Sequence, residues 1–162
     1  MIEIGAPINN RLFYRNRKSD IVTDGISTTL TLGVISAEFY EDNIEFFKSI
    51  NINNLFGVFR SPQDGYGREN WKTLMVTEVE KVCLKVIGFS VEPQLLIGHD
   101  NPDRFIVRVT IEPAGQQHLR DSLNVLLQQE DITISARLTQ VIPLDGLEHR
   151  KLKQLIAVDV VH

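Results

Sequence analysis

The sequence predicts an α+β domain. Its core is a mostly antiparallel sheet of about six to eight strands, with two or three helices packed on one face. Three observations carry this. Apolar residues alternate with period two at Arg104–Glu112 and again at Ile132–Leu138, as they do when one face of a strand is buried. Between these runs, Leu119, Leu123, Leu126 and Leu127 recur at helical spacing and form one apolar stripe. No linker or low-complexity stretch divides the 162 residues, so one domain spanning 1–162 is expected.

The elements follow in chain order. Ile2–Ile4 reads as a short strand that stops at Gly5 and Pro7. A basic arm at about 8–20 follows, and its alternation is too mixed for a core strand. Gly25–Gly33 is rich in β-branched residues and reads as a strand, with Ile26, Leu30 and Leu32 on one face. Ser36–Ile50 looks helical, with Phe39, Tyr40, Ile44, Phe47 and Ile50 near one stripe; Asp42 with Glu45 offers a second start at Asn43. Phe56–Arg60 is a short strand. The turn-rich segment 61–70 carries Pro62, Gly65 and Gly67 and leads to Trp71. Leu74–Ile97 reads as a meander of two or three strands, bent near Glu80, Gly88 and Pro93.

The strongest unit is strand, helix, strand at 104–141. Phe105, Val107, Val109 and Ile111 point inward from the first strand, and Ile132, Ile134, Ala136 and Leu138 from the second. Pro113 ends the first ladder because it has no N–H to donate. A connecting helix of this length permits a right-handed β-α-β unit with parallel strands. Beyond it, Asp145 and Glu148 form a capping box that opens a short helix with Leu147, Leu152, Leu155 and Ile156 apolar. Ala157–Val161 reads as a closing strand.

Composition narrows the function classes. Apolar residues make up 43% and charged residues 23%, as in a soluble globular protein. No apolar run has the length of a bilayer span, and Met1–Pro7 lacks the basic start and apolar core of a secretory signal. A cytoplasmic setting without membrane contact is the expectation. Cys83 is the single cysteine, which excludes an internal disulfide and a cysteine-rich zinc site. Its strand-forming neighbours mark it as a buried, inert thiol.

Net charge is −4, yet Arg11, Arg15, Arg17 and Lys18 place four cations within eight residues. Without those four, 13 basic residues face 21 acidic ones, leaving the rest of the chain at −8. Such asymmetry points to an anionic partner. Tyr14 lies among these cations, and stacking rings beside phosphate-pairing cations also suit nucleic acid. The segment from Arg60 to Lys72 adds Arg60, Tyr66, Arg68 and Trp71, residue types favoured in recognition surfaces. Arg11-x-x-x-Arg15 resembles the arginine motif of PilZ domains, which bind cyclic di-GMP. That family continues with Asp-x-Ser-x-x-Gly. Here Asp24 and Ser27 follow after a short spacer, and Leu30 stands where the glycine belongs, so the resemblance is set aside.

Catalytic signals are sparse. His99, Asp100 and Asp103 bear acid–base groups in what is also ordinary turn chemistry. His118 and Asp121, one helical turn apart, fit a surface pair. No nucleophile elbow, metal-ligand spacing or phosphate-cradling glycine loop occurs, so no catalytic residue, metal or cofactor is assigned. The leading expectation is a non-enzymatic interaction or assembly module that contacts itself or a larger particle, such as a viral one, as a structural or accessory subunit. Its binding set is Arg11, Tyr14, Arg15, Arg17, Lys18, Arg60, Tyr66, Arg68 and Trp71. The alternative is a nucleotide- or nucleic-acid-binding protein using the same residues, and an enzyme built on His99, Asp100 and Asp103 is the third reading.

Overall fold

The structure, a computed structural model, describes residues 2–5, 12–61, 75–94, 103–129, 131–141 and 151–162. The strands are β1 (Ile2–Gly5), β2 (Phe13–Arg17), β3 (Val22–Thr23), β4 (Thr28–Ser36), β5 (Phe56–Arg60), β6 (Val82–Gln94), β7 (Arg104–Pro113), β8 (Asp131–Val141) and β9 (Lys151–Val161). The helices are α1 (Ala37–Asp42), α2 (Ile44–Lys48) and α3 (Gln117–Leu127). This is the α+β class the alternation implies.

The sheet runs β1–β8–β9–β5–β6–β7–β4–β3, with β2 beside β1 on the same edge of β8. Only the β5–β9 pair is parallel among the described pairings. The sheet then curls until its ends meet. Asn16 on β2, fully buried, accepts the Thr31 N–H of β4 at 2.8 Å and donates to the Thr31 carbonyl at 2.9 Å. One side-chain amide thus imitates a residue pair of the ladder that β2 and β4 lack.

The inward faces fill the interior with Leu30, Val86, Val107, Val109, Ile111, Ile134, Leu138, Val158 and Val160, all at most 1% exposed. Helix α3 adds Leu123, also fully buried. Gly115 precedes this helix at φ +82°, where a Cβ would strike the Val82 carbonyl, so only glycine fits. The rings of Phe39, Tyr40, Phe46 and Phe47 pack as a cluster, and Tyr40 stacks on Phe105 at 4.3 Å.

Several expectations change. The strand–helix–strand order at 104–141 is present, but β7 and β8 are not neighbours; α3 carries the chain from one half of the sheet to the other. The 36–50 helix is broken at Asn43, whose buried side chain donates to the Phe39 carbonyl and accepts the Leu152 N–H at 2.8 Å. Ser36 caps α1 by accepting the Phe39 N–H. Ile26 belongs to the turn before β4 and is exposed. The stretch 82–94 is one strand. Gly88 marks a bulge against β7, and Pro93 is tolerated because β5 pairs only with the start of β6. Residues 151–156 extend β9 where a helix was expected; the Asp145/Glu148 capping box and Leu147 lie outside the described residues.

Candidate functional site

Strand β2 is locked to β8 through the register Phe13↔Ser135, Arg15↔Thr133 and Arg17↔Asp131. Leu12 and Asn16 point inward, so Phe13, Arg15 and Arg17 point outward. The Arg15 guanidinium rests on the Asp131 carboxylate, with Nε to Oδ2 at 3.1 Å. This pair is mostly exposed, and such pairs contribute about 1 kcal/mol or less. Arg17 and Lys18 are exposed, and the Arg17 N–H is held by the Asp20 carboxylate. Tyr14 is half-buried.

The pairing extends across four strands. Thr133 is opposite Val161, and Val161 is opposite Arg60. Arg15, Thr133, Val161 and Arg60 therefore form one transverse row, because directly paired residues share a face. Three strand spacings put the ends of the row about 14 Å apart. The next row is Phe13, Ser135 and Asp159. Arg15 and Arg60, far apart in sequence, thus fall in one row on the outer face of β2, β8, β9 and β5, with the Arg15 side chain 70% exposed and that of Arg60 only 14%. Arg11, Tyr66, Arg68 and Trp71 lie outside the described residues.

Further along this same face, where Ser135 is also fully buried, is a buried ion pair. Arg137 and Asp159 are at most 1% exposed. They meet as a fork, with Nε to Oδ2 at 3.0 Å and Nη2 to Oδ1 at 3.1 Å, the planar match that suits arginine and carboxylate. Asp159 also accepts the Val58 N–H at 3.1 Å, and Arg60 Nε stands 3.9 Å away. Burial pushes the Asp159 carboxyl above its ordinary range, while the Arg137 charge and hydrogen bonds, the Val58 N–H and the Arg60 charge draw it back. Arg137 reaches on to the Val76 carbonyl at 3.0 Å and the Thr77 hydroxyl at 3.1 Å. Thr77 is in turn a wall of a groove of about 300 Å³, together with Asn51, Asn54, Met75, Gln154 and Leu155.

Other titratable groups lie apart from this face. Cys83 is buried, and burial first, then the Asp159 charge, pushes its thiol up to about 12. His118 is exposed; Asp121 takes its hydrogen bond from Gln117 at 2.7 Å rather than from His118. Asp103 bonds through its backbone, its carbonyl accepting the Ala37 N–H, while His99 and Asp100 lie outside the described residues. Among the described residues no three His, Cys, Asp or Glu side chains gather as a metal site, and no helix is long and apolar enough to cross a membrane.

The Arg137–Asp159 pair escaped the sequence reading. Arg137 sat on what looked like the solvent side of an alternating strand. Asp159 was the better signal, a lone charge inside Ala157–Val161, since an isolated charge in an apolar strand requires a partner.

No family model matches this chain, and no curated protein matches it. Among solved structures it is similar to the capsid assembly protease of bacteriophage T4, with 10% identity and a TM-score of 0.42 over 99% of this chain and 95% of that one. That degree of likeness carries no functional argument.

Proposed function

We propose that this domain is a non-enzymatic assembly module whose outer face on β2, β8, β9 and β5 docks against a second copy of the chain, within a homo-oligomer or a larger particle such as a viral one. The observation that supports this is the exposed cationic edge formed by Arg15, Arg17 and Lys18 beside Phe13, in register with the less exposed Arg60 across β8 and β9. Arg15 and Arg17 sit on a paired strand, so little backbone freedom is lost on docking. The remainder of the chain, at −8 once Arg11, Arg15, Arg17 and Lys18 are set aside, offers the complementary charge. Arg11, Tyr66, Arg68 and Trp71 complete the proposed contact set, whereas Tyr14 alternates to the inward side with Leu12 and Asn16 and drops out of it. The viral context belongs to this reading and draws nothing from the T4 likeness.

The nucleic-acid alternative would use the same cations. The protein reading is preferred because a carboxylate of this chain, Asp131, already occupies the Arg15 guanidinium. Sedimentation of the wild type against the pair Arg17→Glu and Lys18→Glu separates the readings. An assembled species that dissociates with salt and is weakened by the substitutions is expected. Salt-independent behaviour with unchanged mass in the variant would remove the cationic face from the account.

A further inference from the structure

The residues linked by the buried ion pair are far apart in sequence. On one side, Asp159 holds the middle of β5 by accepting the Val58 N–H and faces its last residue, Arg60, at 3.9 Å. On the other, Arg137 holds Val76 and Thr77. Residues 75–78 are not part of any strand or helix. Arg137 ties them to the body through the Val76 carbonyl and the Thr77 hydroxyl. Met75 and Val76 are themselves substantially exposed, so apolar burial does little to hold them. A guanidinium fixed by a carboxylate is well suited to hold them instead, because its five donors radiate in one rigid plane.

We infer that the Arg137–Asp159 pair is a clamp: it ties the 75–77 segment to β5 and so fixes the two ends of the chain between Arg60 and Met75. Arg137 and Asp159 are positioning residues here, and neither touches the partner. That the chain between Arg60 and Met75 carries contact residues rests on the function proposed above; the clamp itself does not.

The clamp also accounts for an ion pair buried beside an apolar core. Such pairs are weak devices for stability, since apolar replacements are often as stable. A lysine at 137 would keep the charge beside Asp159 but could not reach the carboxylate, Val76 and Thr77 together. Arg137→Lys therefore separates clamping from pairing, and Thr77→Val removes one acceptor while leaving the ion pair whole.

The test is native-state proteolysis of the full chain by a glutamate-specific protease, read at Glu78 and Glu80, which are exposed and adjacent to the clamped residues. Cleavage needs local opening of the chain around the site. The wild type is expected to be cut slowly there. Arg137→Lys should raise the rate at least tenfold and Thr77→Val several-fold, with little dependence on urea, as a local opening behaves. Leu30→Ala, a core cavity on β4 away from the clamp, serves as the control: at equal loss of global stability it should leave urea-independent cleavage unchanged. The inference is overturned if the wild type is already cut at the unfolded rate, or if Arg137→Lys accelerates cleavage no more than the control. Sedimentation of the same variants keeps the two proposals apart. Loss of the clamp with intact assembly would sink only its link to docking.

Discussion

Replacing Asn16 tests whether one side chain closes the sheet. Asn16→Ala removes the acceptor of the Thr31 N–H and the donor to the Thr31 carbonyl, at 2.8 and 2.9 Å. Both backbone groups are then left without partners in a buried setting. Each orphaned group costs about 1–3 kcal/mol, and water entering the small space at the rim offsets part of the sum. A loss of about 3 kcal/mol is expected, or a fall in Tm of about 6–12 °C for a chain of this size. Urea unfolding followed by far-ultraviolet circular dichroism measures it, with an unchanged slope confirming that the folded state stays as compact. Asn16→Asp adds a signature in pH. The new carboxylate keeps the Thr31 N–H but faces the Thr31 carbonyl, so burial raises its folded pKa above the unfolded value of about 3.9. Its deficit against the wild type should be small below that unfolded value, where the carboxyl carries a proton to donate. The deficit should grow as pH rises to the folded pKa and stay constant above it. A loss below about 0.5 kcal/mol in Asn16→Ala, or a pH-independent deficit in Asn16→Asp, would refute the closure.

Two further outcomes follow from close packing. A Cβ on Gly57 would lie 1.7 Å from the Val158 carbonyl oxygen, so Gly57→Ala must push β5 away from β9; a loss of about 1–3 kcal/mol is expected by thermal unfolding, and an unchanged Tm would mean the strands are not this close. Cys83, with its thiol pushed up to about 12, should resist a thiol-specific reagent at pH 8 until the chain unfolds. Because its folded pKa is raised above the ordinary 9.0, its contribution to stability is full below pH 9 and is lost as pH rises toward 12; rapid labelling of folded protein would contradict this.

Where local pattern and tertiary packing agree, the sequence is readable. The inward residues of β7 and β8 alternate as expected, and Leu123 anchors α3. Strand β2 was unreadable because a polar residue, Asn16, occupies an inward position; its burial depends on Thr31, which periodicity does not register. The closing strand at Ala157–Val161 is present as expected, but the part of β9 before it, 151–156, was misread as helix for a different reason. Its pairing with β8 slips at Arg137/Leu138 and at Thr139/Gln140. Leu152, Leu155 and Val158 thereby come to one face three residues apart, a helical spacing produced by two irregularities in a strand. The proposed docking face was half legible. Arg15 and Arg60 were singled out as separate clusters, and only the register across β8 and β9 brings them into one row. The Arg137–Asp159 pair depends on contacts more than twenty residues apart, and no local pattern links its members.

The central claim is docking between copies through the cationic outer face. Light scattering on the eluting protein at low salt, with absorbance read at two ultraviolet wavelengths, tests it most directly. The account predicts a mass that is an integer multiple of the 18.4 kDa chain, free of nucleic-acid absorbance, falling toward one chain as salt rises. A single-chain mass at low salt, or one carrying nucleic-acid absorbance, would contradict it.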